Sequence, residues 1–88
     1  MARLGADVEA LDMLCRRFHE EAAKIGQTIA VINGQVHSAW WEGTDGRNFR
    51  TQWDGEFRSR LAQVQHALEA TGQTVSRQAN AQRACSNA

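Results

Sequence analysis

The 88-residue sequence contains no proline and no tyrosine, and it has only two cysteines. Without proline, nothing in the chain forces a helix to end or to kink. Ten basic and ten acidic residues give a formal net charge of zero, so no field of one sign steers the chain to nucleic acid or to an anionic membrane. No apolar run approaches the roughly 20 residues of a membrane-spanning helix. A chain this short also buries a thin core, which argues against an enzyme with a deep pocket.

The two cysteines are not placed to form an internal disulfide. A hairpin turn centred near residue 43 would bring Cys15 opposite Thr71, and Cys85 lies 14 residues beyond Thr71. At 1.5 Å per helical residue this separation is roughly 21 Å, far beyond the reach of a disulfide. Cys15 is therefore predicted to be a small core residue in a chain that folds under reducing conditions.

The first half of the chain has the apolar spacing of one long helix. From Val8 to Val36 apolar residues recur at alternating steps of three and four, the heptad pattern of a helix that packs against other helices. We predict a helix over about residues 6–40. The larger residues of this stripe, expected to pack within and between hairpins, are Leu11, Phe18, Ile25, Ile29, Ile32 and Val36.

A glycine-rich stretch interrupts this pattern and predicts a turn over about residues 41–45. A second helix is predicted over about residues 46–78, with Thr44 or Asp45 as its N-cap. Beyond Val75 the stripe positions become polar, so residues 79–88 are expected to form a flexible tail. The packing residues expected from this helix are Phe49, Trp53, Phe57, Leu61, Val64 and Leu68.

Two helices of roughly 35 residues joined by a short turn lie antiparallel, so the predicted fold is an all-α helical hairpin. In a lone hairpin each helix packs against only one other helix, and aromatic side chains remain partly exposed to solvent. Gly26 and Gly34 inside the first helix each add a cost of about 1 kcal/mol relative to alanine. We therefore expect the hairpin to dimerise into a four-helix bundle, since chains of this size usually need such support.

The predicted turn carries the tripeptide Trp41-Glu42-Gly43, followed by Phe49 and Trp53. With this W-x-G motif between two heptad helices, the chain resembles over essentially its whole length the WXG-100 family, the early-secreted-antigen-like substrates of type VII secretion. The resemblance implies a non-enzymatic protein that is made in the cytoplasm without a signal peptide. It would leave the cell as a folded dimer, to be secreted or held at the cell surface. Its role would be that of an effector, or of a partner or targeting subunit for a co-secreted protein.

The resemblance also implies a role for Trp41 and Gly43 in export. In that family the W-x-G end of one subunit lies beside a Tyr-x-x-x-Asp/Glu signal of its partner, and the secretion ATPase engages both. Judged from the residues alone, Gly43 suits a positive φ and Trp41 can cover the bend. In this interpretation the two residues only shape the turn and recognise no partner. Because this chain has no tyrosine, either another WXG-type chain supplies the signal or the signal takes another form. The first option is simpler, and it favours a heterodimer over a homodimer.

A cytosolic regulatory coiled coil or a nucleic-acid-binding hairpin is the alternative function. Trp53 lies among several arginines that could form a basic-aromatic patch, although the acidic residues between them reduce the local field. We expect no nucleic-acid partner and no direct insertion into a membrane. The arginines concerned are Arg47, Arg50, Arg58 and Arg60.

Catalysis and metal binding find little support in the sequence. Cys15 and His19 share a helix face, and His66 could lie at the same level, but a structural zinc site normally needs a fourth ligand. The chain also has no glycine-rich phosphate loop and no paired-carboxylate pocket. We therefore expect no catalytic residues, no metal and no cofactor.

Overall fold

The computed structural model describes residues 6–87, with side chains up to residue 85. Its elements are α1 (Val8–Ser38), α2 (Thr44–Gln52), a one-turn π-helix (Trp53–Phe57) and α3 (Arg58–Asn87). The last three follow one another directly, so they form one continuous helical arm that packs antiparallel to α1. Within the described residues there is no strand, and the molecule measures 66 × 19 × 16 Å. The prediction of an all-α helical hairpin is confirmed.

α1 begins two residues later than predicted because Asp7 caps it. The Asp7 carboxylate accepts hydrogen bonds from the backbone N–H groups of Glu9 at 3.0 Å and Ala10 at 3.2 Å. These are donors that the first turn of a helix leaves without an intrahelical partner. The helix ends at Ser38, where Ala39 turns to an extended conformation with φ −64° and ψ 132°.

The second arm begins at Thr44 and not near residue 46, and its N-cap was wrongly predicted. Gly43 is the N-cap, with φ 97°, and no side chain caps this end. Since the chain reverses direction at Gly43 itself, Thr44 and Asp45 already lie inside the helix. Neither can therefore serve as the capping residue that precedes the helix.

The second arm also extends further than predicted, to Asn87 instead of residue 78. Ala79 is completely buried, and the Arg83 guanidinium pairs with the carboxylate of Asp12 on α1. A small apolar residue and a long-range ion pair thus hold the segment that the sequence assigned to a flexible tail. Residue 88 lies outside the described part of the chain.

The register between the two arms differs from the predicted one by about one turn and a half. Gly26 lies against Gln65, and Gly72 lies against His19. The predicted register placed residue 60 opposite Gly26, and the pairing of Cys15 with Thr71 is displaced by the same five residues. The shift arises because the linker 39–43 carries the chain beyond the end of α1 before the reversal at Gly43. The first turns of α2 therefore lie against the linker, at Trp41, and α2 starts beyond the end of α1.

Small residues form the contact between the arms. Ala22 and Ala79 are buried, and Gly26 and Gly72 lie so close to the opposite arm that a Cβ there would press on its side chains. Such residues let the helices approach closely but bury little apolar area. The large apolar side chains that stay exposed along the helices are Met13, Leu14, Val31, Ile32, Phe49, Leu61 and Val64.

Candidate functional site

The W-x-G motif lies in the linker at one end of the hairpin, where Gly43 sets the path of the chain. Gly43 has φ 97° and is the sole residue with positive φ in the described part of the chain. A Cβ at this position would meet no atom within 4 Å. The requirement for glycine at residue 43 therefore comes from the backbone conformation and not from lack of space.

Trp41 lies across the first turn of α2, over Gly46. A Cβ on the buried Gly46 would clash with the Trp41 carbonyl oxygen and lie 3.0 Å from Trp41 Cγ. The indole of Trp41 is 5.5 Å from the ring of Phe49, which in turn is 6.5 Å from the ring of Phe57. Aromatic packing thus anchors Trp41, although 46% of the residue remains exposed.

Arg50 holds the linker to the end of α1 through one guanidinium group. Its Nε donates to the Val36 carbonyl at 3.1 Å, its Nη1 to the Trp41 carbonyl at 3.0 Å and its Nη2 to the Ala39 carbonyl at 2.6 Å. A helix end leaves its last carbonyls without intrahelical donors, and a cation there also opposes the helix dipole. The sequence placed Arg50 only in a possible basic patch, because nothing local signals these contacts.

The other arginines of that patch mostly have protein partners as well. Arg58 donates to Asn33 Oδ1 at 3.4 Å, and Arg60 pairs with Glu56. Trp53, the expected stacking residue, is only 5% exposed. Arg47, Arg58 and Arg60 nevertheless remain exposed, so the patch lacks a stacking residue but keeps accessible guanidinium groups.

A second polar contact joins the two arms near the motif. His37 Nε2 lies 2.8 Å from Asp54 Oδ1, which ties the last turn of α1 to the π-helix. Both side chains remain more than 40% exposed. The sequence did not pair these residues, since they are 17 positions apart and meet only in the observed register.

The residues considered for zinc are separated by the register. His19 lies against Gly72, six residues along α3 from His66. Across the part of the chain described here, no group of three or more His, Cys, Asp or Glu side chains is arranged to hold a metal ion. Cys15 is half-buried and Cys85 exposed, and both are free thiols.

The residues predicted to pack differ in how far the hairpin covers them. Trp53 alone among them is buried. Those left half-buried by the other arm are Leu11, Phe18, Ile25, Ile29, Val36, Phe57 and Leu68. Those that remain exposed are Ile32, Phe49, Leu61 and Val64.

The hairpin has an apolar edge and a polar edge. We define the polar edge by its two cross-links between the arms, Asp12 with Arg83 and His37 with Asp54. Leu14 lies about 200° around α1 from Asp12 at 100° per residue, so it belongs to the opposite side. There it lines a notch of about 150 Å³ together with Phe18 and Leu68. At 100° per residue, Ile25 and Ile32 lie within about 20° of Leu14 around α1, and Leu61 and Val64 lie within about 40° of Leu68 around α3. We define the apolar edge as Leu14, Phe18, Ile25, Ile32, Leu61, Val64 and Leu68.

Comparison with known proteins identifies no relative. No family model matches the chain, and neither a curated protein nor a solved structure matches it. Among the described helices, none combines the length and the apolar character needed to cross a membrane.

Proposed function

We propose that this chain is a small, non-enzymatic hairpin of the WXG-100 type, exported by a type VII secretion system as a folded dimer. The observation that carries the proposal is the W-x-G turn itself. Gly43 adopts φ 97° at the reversal of an antiparallel hairpin, and Trp41 is anchored there with nearly half of its surface open. The residues that shape the turn thus also present an indole to a partner.

The proposed recognition surface for the secretion ATPase is the linker end of the hairpin. Trp41 lies on it beside Trp40, which is 86% exposed. Arg50 fixes three carbonyls around this linker. A surface held in this way loses little conformational entropy on binding, which favours recognition of the folded protein.

The apolar edge supports export as a dimer. Soluble monomers rarely expose a long contiguous apolar surface, and this edge runs along both arms. Covering it with a second hairpin produces a four-helix bundle. The second hairpin is either a WXG-type chain that brings a tyrosine-containing signal or another copy of this chain. The dimer then acts as an effector or as a targeting subunit for a co-secreted protein.

The test of this proposal is export in a cell that carries a type VII system. We expect the epitope-tagged chain to appear in the culture medium when the secretion ATPase is intact and to remain in the cell when the ATPase is inactivated. A cytoplasmic reporter protein measures lysis in both cultures. Export that persists without the ATPase, or a chain that never leaves the intact cell, would overturn the proposal.

A further inference from the structure

The Asn33-Gly34 step in α1 contains a glycine that the fold does not require. Gly34 has helical backbone, and a Cβ at this position would meet no atom within 4 Å. A glycine inside a helix also costs stability relative to alanine. Neither packing nor backbone conformation therefore explains glycine at residue 34, which leaves its effect on the neighbouring side chain of Asn33.

An asparagine followed by glycine has a reactive side-chain amide in an open chain. The Gly34 backbone nitrogen can attack Asn33 Cγ because glycine has no Cβ to hinder the approach. The nitrogen loses its proton, the bond from Cγ to Nδ2 breaks, ammonia leaves, and a five-membered succinimide ring forms. Water then opens the ring at either carbonyl and gives aspartate or isoaspartate. Of the four asparagines in the chain, Asn33 is the one followed by glycine.

The folded hairpin holds both reacting groups away from this reaction. Gly34 lies inside α1, where its backbone N–H belongs to the helical hydrogen-bond pattern and its nitrogen cannot turn towards the Asn33 side chain. The Asn33 amide is held by the opposite arm, because its Oδ1 accepts from Trp53 Nε1 at 2.9 Å and from Arg58 Nη1 at 3.4 Å. Ring closure therefore requires that the end of α1 opens and that Trp53 is released.

We propose that Asn33 is a site of spontaneous deamidation, which is protected in the folded hairpin and reactive whenever the arms separate. The isoaspartate product adds a methylene group to the backbone. It therefore interrupts α1 five residues before the helix ends at Ser38, next to the W-x-G linker. Deamidation thus marks covalently those chains that have remained unfolded. This inference is independent of the proposed export.

The aspartate product, in contrast, fits the folded hairpin. Its carboxylate accepts from the same two donors, and its hydrogen bonds to Trp53 and Arg58 become charge-assisted. One turn further along α1, the carboxylate of Asp54 is already held by His37. Chains with aspartate at residue 33 therefore refold, whereas chains with isoaspartate do not regain the end of α1.

Incubation of the purified chain at neutral pH, with and without guanidinium chloride, tests the site. Peptide mass spectrometry measures the mass gain at each asparagine, and isomerisation of aspartate does not interfere because it leaves the mass unchanged. In denaturant we expect Asn33 to react at least about tenfold faster than Asn48 and Asn80, whose following residues carry a Cβ. Without denaturant, Asn33 should react at least about tenfold more slowly than with it, since the rate follows the population of the open chain.

Gly34→Ala is the matched control, because it adds a Cβ where the folded chain has room for one. In denaturant this variant should bring the reaction at Asn33 down to the rate at Asn48. Equal rates at Asn33 and Asn48 in the denatured wild type would overturn the proposed site. Equal rates at Asn33 with and without denaturant would overturn its protection by the hairpin.

The two products are tested separately. Asn33→Asp, which reproduces the aspartate product, should unfold at a higher temperature than the wild type, and in the Arg58→Gln background the same change should bring no gain. Isoaspartate chains, separated by chromatography from the denatured incubation and returned to buffer, should be less helical by circular dichroism than unmodified chains treated in the same way. A destabilised Asn33→Asp would contradict the fit of the carboxylate. Isoaspartate chains with the helicity and unfolding temperature of the wild type would overturn the proposed effect on α1.

Discussion

Trp53 and Asn33 are joined by a hydrogen bond of 2.9 Å from the indole Nε1 to the amide Oδ1, across the two arms of the hairpin. Trp53 is the one large side chain that the described hairpin buries, since the other buried apolar residues are Ala22 and Ala79. Arg58 donates to the same Asn33 oxygen. One amide therefore fixes both the position of the principal core residue and the local register.

We predict that Asn33→Ala destabilises the hairpin by about 1–3 kcal/mol, the range for leaving a buried donor without its acceptor. Chemical denaturation followed by circular dichroism measures this loss. Gln27→Ala, at an exposed position of the same helix, is the control and should change stability by less than about 0.5 kcal/mol. Trp53→Phe removes the indole donor, so in that background the cost of Asn33→Ala should shrink. An unchanged cost there would show that the hydrogen bond is not its cause.

Two glycines with equal free space but different backbones provide a second prediction. A Cβ meets nothing within 4 Å at either Gly43 or Gly34. Gly43 has φ 97°, whereas Gly34 has helical backbone inside α1, four residues before the helix ends at Ser38. Gly43→Ala should therefore cost about 1–3 kcal/mol in backbone strain, while Gly34→Ala should stabilise the helix by up to about 1 kcal/mol. Thermal unfolding of the two variants side by side checks the difference, and a stabilised Gly43→Ala would contradict the turn geometry.

The apolar spacing of the two halves and the glycine-rich stretch between them were sufficient to predict the hairpin, because helix formation and the position of an apolar stripe depend on residues three and four apart. The register was not predictable in this way. It depends on how the linker passes over Gly46 and on where Arg50 meets the carbonyls of α1, and both contacts are made only after the chain has folded back. A turn assumed to be tight therefore gave a register five residues short.

The end of the second helix was missed for a related reason. The absence of large apolar residues after Val75 predicts that packing between the arms ends there. However, Ala79 is buried because the arms are close enough for a methyl group to fill the space between them. How near the arms lie depends on small residues such as Gly26 and Gly72, whose partners on the opposite arm are fixed by the register.

Arg50 is predicted to be irreplaceable by lysine. Arg50→Lys keeps the charge but loses the planar group that reaches the carbonyls of Val36, Ala39 and Trp41 together. We expect a loss of about 1–2 kcal/mol in stability, from hydrogen bonds to a charged group that are partly replaced by water. The control is Arg47→Lys, at an exposed position one turn earlier, which should be nearly neutral. Equal stability of the two variants by chemical denaturation would show that the three hydrogen bonds of Arg50 do not stabilise the hairpin.

Substitutions of the two adjacent tryptophans distinguish a role in recognition by the secretion ATPase from a role in folding. Trp41 packs on Phe49 with about half of its surface covered, whereas Trp40 is almost fully exposed. If the ATPase reads the W-x-G turn, Trp41→Arg should abolish export while the dimer retains most of its helicity and mass. Trp40→Arg, the matched change one residue earlier, should reduce export far less. Secretion assays and sedimentation of both purified variants make the comparison. If Trp41→Arg loses dimerisation and export in equal measure, the indole is turn architecture, and the recognition surface must lie elsewhere on the hairpin.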